Sequence, residues 1–411
     1  MVEMKKYKLG DVCLKITDGS HFSPKAVDFG YPMYSVKDMN EFGFNDSDYK
    51  MISEDDFKSL VAVGCRPQKD DVLIAKDGSY LKYAFVCKEE KDEVILSSIA
   101  ILRPNKDIID STFFSFLLRN PFVKKSMKYY VSGTALPRIV LDNFKKMEIN
   151  IPGLSEQKKI GDVLSDFDKR IENLRAQNRV LEQTAKTIYD YTFLQCAGHQ
   201  TTYNKTLNRN IPADWEVKSV NQMAKSYRGV AYDKSDVQKE NNGGILVLRG
   251  NNIQDNNLVY DGNVVYIPEN LVEDNQHIKK GDIIMTMSSG SKEHIGKCTM
   301  FQYDSKHTYG AFLTKFTPNR ECRYYFYMNL ISDYFKAKIK SVCNGTGINN
   351  LTNQTFNEIF FPYPDSKTLD VFEKTVTPIF NKMGVNTKQI EALTTQRNTL
   401  LPLLMTGQIE V

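Results

Sequence analysis

The side chains that could do chemistry in this chain gather in short runs combining glycine, serine or asparagine with a cation. In the first half these are Thr17-Asp18-Gly19-Ser20-His21, Ser35-Val36-Lys37-Asp38, Lys76-Asp77-Gly78-Ser79-Tyr80-Leu81-Lys82 and Gly133-Thr134-Ala135-Leu136-Pro137-Arg138. In the second half they are Tyr227-Arg228-Gly229, Arg249-Gly250-Asn251-Asn252, Met287-Ser288-Ser289-Gly290-Ser291-Lys292 and Gly345-Thr346-Gly347-Ile348-Asn349-Asn350. Arginine and lysine suit guanine edges and phosphates, asparagine suits adenine, and serine hydroxyls and backbone amides suit phosphate. The candidate nucleic-acid contacts are therefore Ser20, His21, Lys37, Lys76, Ser79, Tyr80, Lys82, Arg138, Arg228, Arg249, Asn251, Asn252, Ser288, Ser289, Ser291, Lys292, Asn349 and Asn350. Ordinary turns use the same residue types. What favours a binding role is that the runs fall at matching points of two halves with different side chains.

Catalytic chemistry is harder to place. Ser289 to Cys298 looks like a phosphate loop, but it carries five residues between its glycines and Cys298 where a magnesium-binding hydroxyl belongs. Asn120-Pro121-Phe122-Val123 lacks the second proline of an amino-methyltransferase turn. The histidines, His21, His199, His277, His294 and His307, include no pair at metal-ligand spacing, so no metal site is expected. Asp55-Asp56 and Asp70-Asp71 read as solvated turn residues.

The elements that must position these loops are two long helices. Ile160, Leu164, Phe167, Ile171, Leu174, Asn178, Leu181, Ala185 and Ile188 repeat at spacings of four and three, the seam of a coiled coil. A helix from Ser155 to about Gln195 would be roughly 60 Å long. The seam returns 212 residues later as Phe372, Val376, Ile379, Met383, Ile390, Leu393 and Leu400. Asn178 falls on Ile390 and Leu174 on Asn386, so each helix carries one polar core position. A buried asparagine sets register at some cost in stability, and the two helices are expected to pair. Pro378 is expected to kink or interrupt the second helix and Gly384 to weaken its next turn, with Pro402 and Gly407 marking the end.

The repeat extends upstream. Gly133-Thr134 matches Gly345-Thr346, Phe144 matches Phe356, Pro152 matches Pro364 and Lys37 matches Arg249 at an offset of 212, while Lys69 to Ile74 matches Lys280 to Met285 at 211. The expected architecture is α+β: two strand-rich domains, 1–152 and 215–364, two long helices, 153–196 and 365–411, and a polar linker, 197–214. Two copies with one apolar stripe each bury it most simply about a pseudo-two-fold axis, as an antiparallel coiled coil with the domains at opposite ends of a rod.

Composition sets the outer limits. With 411 residues, a charged fraction of 25% and 41% hydrophobic residues, the chain is globular and long enough for several domains. Its net charge of +4 permits a nucleic-acid partner without demanding one. Seven cysteines with no Cys-x-x-Cys read as reduced thiols. No apolar leader and no run of eighteen apolar residues is present, so a cytoplasmic location is expected, with no membrane partner.

With these features the chain resembles the specificity subunit of type I restriction-modification systems. The likeness covers the whole length, and its most specific motifs are Leu154-Ser155-Glu156-Gln157-Lys158-Lys159-Ile160 and Leu400-Leu401-Pro402-Leu403-Leu404-Met405-Thr406-Gly407-Gln408-Ile409. Gly281-Asp282-Ile283-Ile284 and Asp18-Gly19-Ser20-His21 add to it. The resemblance implies that each strand-rich part is a target-recognition domain reading one half of a bipartite site in double-stranded DNA. It implies that the helices fix the spacer and recruit two methyltransferase subunits and the restriction subunits. S-adenosylmethionine, ATP and magnesium would then belong to those partners, and this chain would hold no cofactor and catalyse nothing. A divergent stand-alone methyltransferase and a coiled-coil adaptor that binds only protein are the rival readings.

Overall fold

The computed structural model describes residues 3–78, 81–131, 138–195, 199–238, 243–254, 256–259, 264–290, 294–345 and 350–411, with side chains of 344 and 345 excepted. Ser79, Tyr80, Ser291, Lys292 and Asn349 lie outside the described residues, as do residues 133–137 and 346–348 of the glycine-rich runs. The chain forms two compact units, one of residues 1–174 and 389–411, the other of residues 175–388.

In the first unit the strand Val72–Ala75 is apolar at every position and wholly buried, as a strand covered on both faces must be. Alternate side chains point to opposite faces. Val72 and Ile74 enter one core with Phe113, Phe114, Ile160 and Leu164, while Leu73 and Ala75 enter another with Tyr34, Phe85 and Ile101. The strand sits in an antiparallel four-stranded sheet ordered Cys13–Asp18, Ile99–Pro104, Val72–Ala75, Ala84–Val86. A three-stranded sheet places Tyr31–Tyr34 between Lys50–Ile52 and, in parallel, Val94–Ile95. Lys5–Lys8 pairs with Glu148–Ile151 and closes the domain immediately before the long helix.

The second unit repeats this plan. Its four-stranded sheet runs Ala224–Arg228, Leu313–Pro318, Ile283–Thr286, Cys298–Met300, its three-stranded sheet Val265–Ile267, Ile245–Leu248, Thr308–Tyr309, and Glu216–Ser219 pairs with Phe360–Tyr363. The offset is not constant: Val72–Ala75 and Ile283–Thr286 stand 211 residues apart, Tyr31–Tyr34 and Ile245–Leu248 stand 214 apart.

That drift corrects one expected match. The turn after Tyr34 is fixed by Asp38, whose carboxylate accepts from Ser35 N at 2.7 Å, and the turn after Leu248 by Asn252, whose Oδ1 accepts from Arg249 N at 2.9 Å. Arg249 therefore corresponds to Ser35 and Asn251 to Lys37; a two-residue difference in loop length had paired Lys37 with Arg249. Asp71 is also unlike the solvated residue expected. It is fully buried and takes two bonds from Arg103, at 2.8 and 2.9 Å, and Asp282 takes a bond from Thr317 Oγ1 at 2.6 Å in the same place.

The long helices are Leu154–Tyr189 and Ser366–Met405. In the first unit Ile160 and Leu164 share a core with Leu401, Leu404 and Met405, and in the second Ala185 and Tyr189 share one with Leu369, Phe372, Val376 and Phe380. Within the first unit Asp168 meets Arg397 while Ile160 and Leu164 lie with Leu401 and Leu404, and within the second Asn178 meets Asn386 while Tyr189 packs on Phe372, so the pairing within each unit is antiparallel. Seam residues Ile171, Phe372 and Val376 are buried, whereas Phe167, Leu174, Leu181, Ile188, Ile379, Met383, Ile390, Leu393 and Leu400 are half-buried. Phe380, outside the expected stripe, is buried instead.

The helix Ser366–Met405 runs through Pro378 without the expected break. The lost backbone bond is outweighed locally, since Val376 and Phe380 on either side are fully buried and Tyr324 stacks on Phe380 with ring centroids 4.3 Å apart. Gly384 is a point of close approach rather than a weak turn, because a Cβ there would lie 2.6 Å from Gln302 Cβ. Gly407, at φ +67°, ends the helix, with Gln408 N donating to Leu403 O at 3.0 Å and Gly407 N to Leu404 O at 3.2 Å. The polar connector after the first helix contains a hairpin, Thr201–Asn204 with Arg209–Pro212. Its turn rests on Asn204 Oδ1, which accepts from Thr206 N and Leu207 N, a signal of turn chemistry rather than of periodicity.

Candidate nucleic-acid interface

In the first unit the buried strand Val72–Ala75 ends at Lys76, and its neighbours end beside it. Lys76 N donates to Ser98 O at 2.8 Å, Ile139 N donates to Lys76 O at 3.2 Å, and Asp77 bridges to Arg138. Ser97 N donates to Ser20 O at 2.9 Å, and Ser98 Oγ accepts from Val36 N at 3.0 Å. Five segments separate in sequence thus converge at one end of the sheets.

The second unit builds the same cluster. Met287 N donates to Phe312 O at 2.9 Å, Leu351 N to Met287 O at 2.8 Å, and Ser288 bridges to Asn350, with a further bond between their side chains. Val230 N donates to Tyr309 O at 2.8 Å, and Gly250 lies against the Thr286 side chain. Gly19 and Gly229 allow the crossing. A Cβ on Gly19 would collide with the Ile95 carbonyl and one on Gly229 with those of Tyr309 and Gly310, so each glycine is required by backbone contact.

Within this frame the candidate residues divide. His21, Lys37, Arg138, Arg228, Asn251 and Asn350 are exposed, and Lys82, Arg249, Ser288 and Ser289 are partly so. Lys76 is not available as expected: it is buried and its ammonium lies 3.0 Å from Asp18 Oδ2 and 3.4 Å from Asp77 Oδ2. Ser20 is buried in a local turn with Phe22, and Asn252 is committed to its cap and to Val259 O at 2.9 Å. These three position the loops; the outward residues can touch a ligand. The sequence reading missed Phe312, 70% exposed at the junction with Met287 and Ser288, because Gly310-Ala311-Phe312 reads as the entry to a strand.

The decoys have structural explanations. Asn120 caps a short helix, Oδ1 accepting from Phe122 N at 2.8 Å. Cys298 opens a strand where a phosphate loop would open a helix, and burial pushes its thiol up to about 12. Among the described residues no three His, Cys, Asp or Glu side chains stand together as metal ligands would, and no helix is long and apolar enough to cross a membrane.

The type I restriction modification DNA specificity domain matches the chain twice, at residues 1–183 and 212–395. The chain belongs to that family. Each match takes in one strand-rich domain and much of the long helix after it. Among curated relatives, the chain is 25% identical over 357 residues to the type I restriction enzyme MjaVIII specificity subunit of Methanocaldococcus jannaschii, covering 84% of this chain and 80% of that one. It is 31% identical over 156 residues to the EcoKI specificity subunit of Escherichia coli, covering 38% and 33%. The solved S subunit of a type I restriction-modification system from M. genitalium shares the fold, with a TM-score of 0.54 at 17% identity over 98% of this chain and 96% of that one.

Proposed function

We propose that this specificity-domain chain is the non-catalytic DNA-reading and assembly subunit of a type I restriction-modification complex. Each loop cluster reads one half of a bipartite site in double-stranded DNA, and the helix pair sets the spacer. Two methyltransferase subunits and the restriction subunits dock on the chain and bring S-adenosylmethionine, ATP and magnesium, so methyl transfer and cleavage belong to them, in the cytoplasm. The observation that carries this reading is one loop frame built twice with different outward side chains: Ser35-Val36-Lys37 in one copy stands where Arg249-Gly250-Asn251 stands in the other. Shared frames with divergent tips are what two readers of different short sequences require.

The test is genome-wide mapping of N6-methyladenine in cells expressing the chain with its neighbouring methyltransferase, against cells lacking the chain. A split motif with a fixed gap, present only with the chain, is expected. Unchanged methylation would remove the DNA-reading role and leave a protein-only adaptor.

A further inference from the structure

In the second unit the helix Asp333–Gly345 packs across the segment 295–298, and between them lies a cavity of about 340 Å³. Its apolar lining includes Ile295, Phe335 and Ile339, and Lys297, Lys336 and Lys340 border it. Lys336 and Lys340 are one helical turn apart and exposed, and Lys297 comes from the facing strand connection. Among the described residues the only carboxylate within 4 Å of any of the three is Asp333, 3.9 Å from Lys336 and itself 86% exposed. Three cations over a low-dielectric wall concentrate positive potential at one spot.

The spot adjoins the loop cluster. Lys297 O accepts from Thr286 N at 2.9 Å, Gly296 N donates to Thr286 O at 2.9 Å, and the next residue, Met287, carries the bond from Leu351. The first copy treats the matching place differently. Leu81, whose N–H donates to the last strand residue Ala75 as that of Gly296 does to Thr286, is buried there, and Lys124, 212 residues before Lys336, donates to Lys82 O at 3.3 Å.

We infer that Lys297, Lys336 and Lys340 form a phosphate-binding face that grips the DNA backbone beside the bases read by the second loop cluster. The inference rests on the DNA-reading function and adds to it a contact that carries no sequence information. Ammonium groups bind phosphodiester oxygens as point charges and release counterions, so the face strengthens binding to any duplex equally.

The test uses the chain assembled with its methyltransferase subunits and carrying Lys297→Gln, Lys336→Gln and Lys340→Gln together. Binding is measured by anisotropy over a range of salt concentrations on a duplex with the chain's site and on an unrelated duplex. Each lost phosphate contact makes the plot of log K against log salt shallower by about 0.9, so a loss of up to about 2.7 is expected on both duplexes, with the methylated motif unchanged. The three Lys→Arg changes should keep the slope. An unchanged slope overturns the inference, and an unchanged slope with loss of the methyltransferase from the complex assigns the face to protein docking instead. Weakening on the site duplex alone would also overturn it, because such lysines would be base readers. The unrelated duplex reports on these lysines even if no split motif is ever found, which separates this failure from failure of the proposed function.

Discussion

In the second unit Asn386, fully buried, donates through Nδ2 to Asn178 Oδ1 at 2.9 Å, and Asn178 Nδ2 donates to Thr387 Oγ1 at 3.3 Å. Asn386→Ala leaves the Asn178 carbonyl desolvated without its donor, at a cost of about 1–3 kcal/mol. Asn178→Ala leaves Asn386 Nδ2 with only its longer bond to Gln177 Oε1 at 3.4 Å and should cost toward the lower end of about 1–3 kcal/mol. The double alanine variant removes both groups, so it should lose less than the sum of the singles, with a coupling of about 1–2 kcal/mol. Trp215, the chain's single tryptophan, is buried in the hydrophobic core of the second unit with its ring 5.9 Å from Phe193, so its fluorescence reports urea unfolding of this unit. Singles and double that add to within about 0.5 kcal/mol would refute the pairing. A double leucine variant should be at least as stable as the parent, since both polar groups are replaced together. It should nonetheless blur the spacer of the methylated motif, because the buried amide pair then no longer fixes the helix register.

Two further outcomes follow from buried charges. Arg397, in the first unit, reaches Asp168 Oδ1 at 2.5 Å and Glu41 Oε1 at 2.6 Å, while Arg119 also holds Asp168 at 2.6 Å. Breaking a buried pair costs about 3–5 kcal/mol, and because Arg119 remains, Arg397→Met should cost nearer about 2 kcal/mol, read as a lower urea midpoint by circular dichroism. Burial raises the Glu373 carboxyl to about 7 despite the backbone N–H groups of Tyr324 and Tyr325 that it accepts from at 2.8 Å. A folded value above the ordinary 4.5 means the protonated form contributes stability that is complete below pH 4.5 and lost as pH rises through 7. Glu373→Gln should flatten that part of the stability profile; an unaltered profile between pH 4.5 and 7 would count against it.

The paired helices were legible because a four-three apolar spacing has few other meanings, and the polar positions Asn178 and Asn386 stood out against it. The face actually buried was harder to read. Tertiary packing on the domains, through residues such as Phe380, rotates part of the seam away from a pure two-helix pattern. Among the candidate contacts, residue type could not separate Lys37, which is exposed, from Lys76, whose charge is spent on Asp18. Both are lysines in turns, and only the strand register brings Asp18 beside one of them. Gly19 and Gly229 looked like parts of binding loops, yet their need is steric and appears only once the neighbouring backbone is in place. The match of Lys37 to Arg249 failed because a constant offset cannot follow short insertions.

The division of the chain between the two units bears on how it is made. The second unit is continuous, residues 175–388, whereas the first needs residues 389–411 as well as 1–174. Leu401, Leu404 and Met405 complete a core whose other side chains, Ile160 and Leu164 among them, left the ribosome more than two hundred residues earlier. Synthesis therefore supplies everything the later half needs before the earlier half can close. The first domain must wait with an apolar surface uncovered, and truncation before Leu401 would leave that surface open for good.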